Sequence, residues 1–386
     1  MGHENTLFRE VLQWIPRHEF QAIVNRHDGD KRTRNLKCWG QFVSLLFGQL
    51  TGHNALRSMV TALNTQVQFL YHLGVTPIKR STLSDANEKR SPKILEDVFY
   101  KLLNRTQSYA PKHSFRFNGK ILDMDATTIN LCLSLCPWAG FRHGKGGMKM
   151  HTAIDLDGNL PDFMVMTPAK VHDVKVAHGR RFAPGTTLLV DRAYVDFEWL
   201  YQLEKQGVFF VTRMKDNGQY KVRRCFSKIQ AKGIKADQEI RLTGQLTRKK
   251  YPTTLRRVSY RDPETGQRYV FITNRFDLAA KTICDLYKAR WEVELFFKTM
   301  KGQLQVDKFV GTSVNAVLWQ LWTAMIAYLL VSLIRFLNKV KWSVPSTMAA
   351  LAVALFQKID IKRLFNPLPR ERCVNIGLHR QMLFQF

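Results

Sequence analysis

The amino-terminal third of the chain repeats apolar residues at helical spacing. Leu7, Val11 and Trp14 fall on one side of a helix, and the segment 42–50 repeats the pattern. Spacings of three and four residues are typical of amphipathic helices, whose apolar side packs against the rest of the protein. We therefore expect residues 1–110 to form a helical amino-terminal domain.

After residue 110 the pattern changes to short apolar runs bounded by turn residues. These runs lie near 120–129, 148–156, 160–167, 186–191 and 207–213. Runs of this length that end in glycine or aspartate are typical of buried strands. Together they predict a mixed-sheet α/β core.

Two helices are predicted beyond these strands. Residues 277–303 mix charged and apolar positions at helical spacing, and residues 316–336 are apolar almost throughout. The second segment is long enough to cross a membrane. Because Gln320 and Arg335 interrupt it, we interpret it as a buried helix packed on the sheet, and we expect no membrane association.

Two of the predicted strands end in acidic residues. One run ends at Asp123 and Asp125, and the run that begins at Thr187 ends at Asp191. Ligands of open α/β sheets lie at the carboxyl ends of the strands, so we expect these side chains at one sheet edge. Asp123 and Asp125 are two residues apart and share a face of their strand, so both are candidates.

A third acid lies in the first of the two predicted helices. One stripe of that helix, about 60° of arc wide, carries Tyr287, Arg290, Glu294 and Lys301. The apolar segment 295–297 would hold the stripe against the core. The alternative interpretation is a solvated helix face with an ordinary ion pair between Arg290 and Glu294.

Three convergent carboxylates require a cation, because unpaired acids in close contact raise one another's pKa and take up protons. Oxygen ligands with open positions select hard ions, so we predict Mg²⁺, with Mn²⁺ able to substitute. Two such ions, roughly 4 Å apart, stabilise the attacking and leaving oxygens of a phosphoryl displacement. The pattern therefore predicts cleavage or exchange of phosphodiesters.

The motifs also resemble a known family. The spacing of Tyr287, Arg290, Glu294 and Lys301 resembles the Y-R-E-K pattern of the DDE transposases of bacterial insertion sequences, specifically the insertion-sequence-four group. The resemblance extends over roughly residues 115–340.

The two strand-end acids fit the same resemblance. Asp125 in Asp-Ala-Thr and Asp191 in Asp-Arg-Ala-Tyr look like the first two catalytic residues of that family, which leaves Asp123 a supporting position. The resemblance implies that Asp125, Asp191 and Glu294 are the catalytic and metal-binding residues. It also implies a β-rich insertion between the second and third acids, here the segment 214–275.

The resemblance further implies a fold and a reaction. The core, residues 111–340, would be ribonuclease-H-like, followed by a helical tail at 341–386. Metal-activated water would nick double-stranded DNA at the terminal inverted repeats. The freed 3′-hydroxyl would then attack the opposite strand or the target DNA, and two ends would be joined by a homodimer that cleaves in trans.

The same resemblance assigns DNA contacts. Tyr287, Arg290 and Lys301 would hold terminal nucleotides and phosphates beside the metals, and Arg192 would add a contact next to the second acid. Trp291 is expected either to stack on a displaced base or to be a core aromatic.

Charge supports a polyanionic partner. The chain has 59 Lys and Arg against 31 Asp and Glu, a net charge of +28. Residues 221–257 hold 12 Lys or Arg and only two acids. This segment predicts a phosphate-binding surface, and the helix expected at 78–90 is a candidate for base recognition.

Scattered cysteines without paired spacing, and no signal peptide, predict a protein of the reducing cytoplasm. The family resemblance implies that it is bacterial and acts on nucleoid DNA. Two rival functions remain. One is a DNA-binding protein without catalysis, such as a decayed transposase or an inhibitor. The other is a structure-specific nuclease on the same core.

Overall fold

The computed structural model describes residues 5–142, 145–226, 231–302, 304 and 308–365. The helices before residue 110 are α1 (Leu7–Leu12), α2 (Arg17–Arg26), α3 (Cys38–Thr51), α4 (Leu56–Asn64), α5 (Val67–Leu73), α6 (Arg80–Lys89) and α7 (Lys93–Gln107). Leu7 and Val11 are completely buried, so the helical periodicity predicted for this region is confirmed. The candidate recognition helix is α6.

The next part of the chain is mostly strands. They are β1 (Ile121–Leu131), β2 (Gly140–Arg142), β3 (Lys145–Asp155), β4 (Leu160–Pro168), β5 (Thr187–Val190), β6 (Phe209–Arg213), β7 (Tyr220–Cys225), β8 (Ile234–Leu242), β9 (Leu255–Arg261) and β10 (Arg268–Thr273). The helices between them are α8 (Asp173–His178), α9 (Phe197–Lys205) and α10 (Gln245–Lys250). Each apolar run between residues 120 and 213 forms a strand, as its pattern predicted.

In the part of the chain that the structure describes, these strands form one mixed sheet. Its order is β2-β3-β1-β5-β6-β10-β9-β8-β7, and β4 also pairs with β3. The β1–β5 and β5–β6 pairs are parallel, and the other pairs are antiparallel. Because β10 pairs with β6, the strands of the segment 214–275 extend the same sheet that carries the acidic strand ends.

The helices after the sheet are α11 (Ala280–Ala289), α12 (Trp291–Gly302), α13 (Val314–Leu337), α14 (Val344–Ala354) and α15 (Ile361–Phe365). Our prediction of one continuous helix over 277–303 is therefore wrong. The Arg290 N–H bonds to the Tyr287 carbonyl at 3.2 Å, three residues back, which tightens and ends α11. The chain then starts α12 with a new amino terminus.

Helix α13 is the apolar segment that has the length of a membrane span. Almost all of that segment is buried inside the protein, where α13 packs against α3, α6, α7 and α14. The predicted burial is confirmed, but the helix packs mainly on these other helices and not on the sheet. One hydrophobic core contains the amino-terminal helices, α12 and α13, so α12 is held between the helical layer and the sheet. Of the predicted tail 341–386, residues 366–386 lie outside the described part.

Candidate active site

Asp125 and Asp191 lie at equivalent positions on neighbouring parallel strands. Met124 of β1 is opposite Val190 of β5, so the next residue along each strand is one of the two aspartates. Both carboxylates are only partly exposed to solvent. The parallel register therefore brings two of the predicted acids side by side at the point where β5 ends. The prediction that the first strand ends in its acids is wrong, because β1 continues past Asp125 to Leu131 in its pairing with β3.

Glu294 lies in the first turn of α12, which packs on β1 and β3. The start of this helix is held by Asp123, whose completely buried carboxylate accepts the Val293 N–H at 3.1 Å. A carboxylate at a helix amino terminus satisfies a free N–H group and interacts favourably with the helix dipole. Asp123 thus fixes the first turn of α12 relative to β1, and with it Glu294.

The Arg290 side chain joins the helix to the sheet. Its guanidinium donates to Glu294 at 2.5 Å and lies 3.7 Å from a carboxylate oxygen of Asp125. The Arg290 side chain is only 15% exposed. One mostly buried cation therefore contacts two of the three predicted acids, which shows that the acids of the helix and the sheet converge.

The remaining acid, Asp191, has different hydrogen-bond partners. The Tyr287 hydroxyl donates to it at 3.2 Å, and the Arg213 guanidinium at the end of β6 donates to the same oxygen at 3.4 Å. Tyr287 and Arg290, which come from the predicted stripe, thus each contact a different strand-end acid.

The Transposase DDE domain family matches residues 116–330, more than half of the chain. The chain belongs to the DDE transposase family. A domain of unknown function (DUF4372) matches residues 3–76 of the transposase, within its amino-terminal helices.

Curated relatives of the chain are named as transposases. The protein y4zB of Sinorhizobium fredii, named as a transposase, is 30% identical over 301 residues, 75% of this chain and 83% of that protein. A Geobacillus stearothermophilus relative, named as a transposase for insertion sequence element IS5377, is 31% identical over 284 residues, 72% of each chain. The resemblance to insertion-sequence transposases is thereby confirmed. The transposase is an enzyme of DNA transposition.

A solved structure overlaps with the chain more distantly. The cryo-EM structure of the piggyBac transposase synaptic complex with hairpin DNA covers 96% of this transposase and 83% of that chain, with a TM-score of 0.47 and 11% identity. Similarity at that level supports no statement about the fold.

The two strand-end acids of the transposase differ in electrostatics. Burial raises the pKa of Asp125 to about 6, and the nearby Asp191 charge acts in the same direction, although the Ala126 N–H and Arg290 oppose the shift. Burial also raises the pKa of Asp191, but the Arg192 N–H and the charges of Arg290 and Arg213 outweigh it, so that pKa is lowered. Of these two acids, Asp125 is therefore the one whose negative charge the protein compensates less.

The donor atoms suit a hard divalent cation, on which a DDE enzyme depends. All the candidate ligands are carboxylate oxygens, the donors that Mg²⁺ and Mn²⁺ prefer. Within the part of the chain that the structure describes, one oxygen of the buried Asp123 carboxylate has no hydrogen-bond partner. Among the described residues, no three His, Cys, Asp or Glu side chains lie close enough together to hold a metal ion. The Arg290 guanidinium contacts both Asp125 and Glu294.

The other predicted DNA contacts are Trp291, Arg192 and Lys301. Trp291 is 59% exposed at the start of α12, so the core-aromatic interpretation is wrong. Arg192 follows the second acid and donates to Asp216 at 2.8 Å. Lys301 lies in the last turn of α12, beyond the residues that Arg290 joins.

Two residues near the acids were not predicted. Arg213 ends β6, the strand next to β5, and the strand-end argument used for the acids applies to it equally. Asp173, at the start of α8, raises the pKa of Asp125 through its charge and lies 3.0 Å from Lys149. Nothing in the sequence around Asp173 indicates this position, because it depends on the pairing of β4 with β3, which places the start of α8 near Lys149.

Proposed function

We propose that Asp125, Asp191 and Glu294 hold two Mg²⁺ ions, for which Mn²⁺ can substitute, and that the protein cleaves DNA at the ends of an insertion sequence and joins them to target DNA. The main support for this proposal is that acids from β1, the end of β5 and α12 converge. Asp125 and Asp191 follow adjacent positions of two parallel strands, and Arg290 contacts both Asp125 and Glu294.

Divalent ions bound to these oxygens would activate water, or the 3′-hydroxyl, and stabilise the charge that develops on the phosphate oxygens. The chain's own residues position the reaction. Asp123 anchors the first turn of α12, which fixes the direction from which Glu294 approaches the strands. Tyr287 and Arg213 hold the Asp191 carboxylate in one orientation.

The proposed DNA contacts surround these acids. Arg290 would exchange its carboxylate partners for a phosphate, because a guanidinium binds two phosphate oxygens as readily as two carboxylate oxygens. Trp291 is exposed beside it and offers a ring on which a displaced base stacks. Arg192, Lys301 and Tyr287 would contact the remaining terminal nucleotides.

We propose a ribonuclease-H-like core for the segment 111–340. The strand order β4-β3-β1-β5-β6, with β1, β5 and β6 parallel and β3 antiparallel to β1, supports this assignment. The helices of 1–110 would bind the terminal repeats, the segment 214–275 would be the β-rich insertion, and the tail 341–386 would follow the core. The active form on nucleoid DNA in the cytoplasm would be a homodimer.

The test compares the wild-type protein with Glu294→Gln on labelled duplexes that carry the terminal inverted repeat flanking the gene. Glu292→Gln is the matched control, because Glu292 lies two residues away and contacts Asn159 instead of the strand-end acids. Nicks with 3′-hydroxyl ends and joined products are scored in Mg²⁺ and in Mn²⁺, and binding is measured in Ca²⁺.

We expect the wild type and Glu292→Gln to cleave and join, and Glu294→Gln to bind without cleaving. Binding without cleavage by all three proteins would instead support the DNA-binding protein without catalysis. Cleavage without any joined product would support the structure-specific nuclease.

A further inference from the structure

A second site lies next to Asp191. A cavity of about 480 Å³ borders this acid and is lined by Arg192, Lys215 and Asp216 among others. The same three residues also line a neighbouring cavity of about 360 Å³. The two cavities therefore form one groove that leads from the catalytic acid across the edge of the sheet.

The far cavity is strongly cationic. Its charged lining residues are Arg192, Arg213, Lys215, Asp216, Arg257 and Arg268. The single acid, Asp216, is 93% exposed and pairs with Arg192, so it compensates little of the charge deeper in the cavity. A concave surface with this excess of cations favours an anionic ligand.

Arg257 is the buried cation of this cavity. It lies on β9 and is only 8% exposed. One guanidinium nitrogen donates to the Gln238 side-chain oxygen at 2.8 Å, and the guanidinium carbon lies 5.1 Å from the centre of the Tyr220 ring. The Nε group is buried and has no hydrogen-bond partner among the described residues. Neither an amide oxygen nor an aromatic ring neutralises a buried positive charge.

The neighbouring residue on the same strand gives the contrast. Arg256 is equally buried, but it binds the Asp237 carboxylate through two nitrogens at 2.9 and 2.8 Å. A buried charge without a partner is costly, whereas one with a matched carboxylate is stable. The charge of Arg256 is therefore neutralised by a carboxylate of the protein. Arg257 instead lines a cavity in which an anionic ligand could neutralise it.

We infer that this cavity binds a backbone phosphodiester of the DNA strand that runs along the groove from Asp191, with Arg257 as its main ligand. This inference rests on the proposed function, because the DNA enters the groove at the catalytic acid. A phosphodiester supplies two oxygens to the guanidinium fork, and the Tyr220 ring lies against the other side of Arg257. Lys215 and Arg268 at the rim add charge without fixed geometry.

The test scans the DNA phosphates one at a time. Each phosphate of the terminal-repeat duplex is replaced by an uncharged methylphosphonate, and binding is measured in Ca²⁺ for the wild type and for Arg257→Gln. The matched control is Arg181→Gln, which removes an exposed charge between α8 and β5, outside both cavities and outside the basic segment 221–257.

We expect one position close to the cleaved bond at which the methylphosphonate weakens wild-type binding by roughly tenfold. Arg257→Gln should bind the unmodified duplex about equally weakly, and should be insensitive to the methylphosphonate at that position. The slope of log K against log[salt] should fall by about 1. The Arg181→Gln variant should keep the wild-type methylphosphonate profile.

The same methylphosphonate profile for the wild type and Arg257→Gln at every position would overturn the inference. If circular dichroism shows that Arg257→Gln does not fold, Arg257→Lys replaces it. The lysine keeps the charge but loses the fork, so the sensitive position should lose part of its effect, and an unchanged profile would overturn the inference too. If the wild type cleaves DNA and Arg257→Gln has the same methylphosphonate profile, only this inference is overturned. If the wild type does not bind the duplex, the proposed function is overturned as well.

Discussion

The Arg290 guanidinium donates a hydrogen bond of 2.5 Å to Glu294, four residues later in the chain. The same guanidinium lies 3.7 Å from Asp125. A divalent ion bound to these carboxylates and the Arg290 side chain would therefore compete for the same oxygens. Because a DNA phosphate offers Arg290 another partner, DNA binding should strengthen metal binding, and metal binding should strengthen DNA binding by the same factor.

Removing the Arg290 charge should raise the affinity of the DNA-free protein for Mn²⁺. A charge-assisted hydrogen bond contributes about 1.5–3 kcal/mol, so we expect Arg290→Gln to bind Mn²⁺ at least tenfold more tightly in isothermal titration calorimetry. Arg290→Lys keeps the charge and should stay nearer to the wild type. Unchanged or weaker Mn²⁺ binding by Arg290→Gln would show that the guanidinium does not compete with the ion.

Asp123 should stabilise the protein through the start of α12. Asp123→Ala removes the acceptor of the buried Val293 N–H, so the free energy of unfolding should fall by about 1–2 kcal/mol, measured by urea denaturation. DNA cleavage should fall as well, because Glu294 loses its anchor.

Asp123→Asn is the matched control for this effect. Burial raises the pKa of Asp123 well above its usual value, so the neutral amide is a close substitute, and its oxygen still accepts the Val293 N–H. Equal stability of Asp123→Ala and the wild type would contradict the anchoring role.

His151 should make the protein less stable in mild acid. Burial lowers its pKa to about 4, with Lys149 acting in the same direction and Asp173 opposing. An unfolded chain takes up this proton near pH 6.5, so each pH unit between 6.5 and 4 costs about 1.4 kcal/mol of folding stability. At pH 5 the loss is about 2 kcal/mol.

The measurement for His151 is urea denaturation at pH 7 and at pH 5. The glutamine side chain of His151→Gln does not titrate in this pH range. Its amide can still hydrogen-bond the Thr167 hydroxyl, which His151 contacts at 2.8 Å. The stability difference between the two pH values should therefore shrink by about 2 kcal/mol in the variant. An identical difference in both proteins would refute the assignment.

The ion pair between Arg256 and Asp237 should be essential for the stability of the outer strands. Both side chains are mostly buried, at 6% and 12% exposure, so Asp237→Asn leaves an uncompensated buried charge. We expect the free energy of unfolding to fall by about 3–5 kcal/mol. The double variant Arg256→Met with Asp237→Leu should recover much of that loss, and a loss below about 1 kcal/mol in Asp237→Asn would contradict the prediction.

The catalytic strands were predictable because their signals are local. An apolar run followed by aspartate indicates both a strand and the place of the acid, and β5 follows that pattern, whereas β1 continues beyond Asp125 to Leu131. Helix α13 was predictable for the same reason, since two polar residues in a long apolar segment distinguish a core helix from a membrane span.

The parts that could not be predicted depend on distant residues. The break at Arg290 accompanies a bond between Val293 and Asp123, which are 170 residues apart, and the periodicity of 277–303 carries no trace of it. Likewise, the pairing of β10 with β6 depends on register across the sheet. The charge of 221–257 indicated a phosphate-binding surface, but only the fold distinguishes Arg257 from the neutralised Arg256.

One continuous sheet connects the strands that lead to Asp125 and Asp191 with the outer strands β9, β8 and β7. From β5, which precedes Asp191, three strand-to-strand steps lead through β6 and β10 to β9, which carries Arg257. Neighbouring strands are about 4.8 Å apart, so this separation is about 14 Å across the ladder. Each of these strands is hydrogen-bonded to the next. The distance between the proposed phosphate-binding site at Arg257 and the proposed cleavage site at Asp191 is therefore set by the sheet.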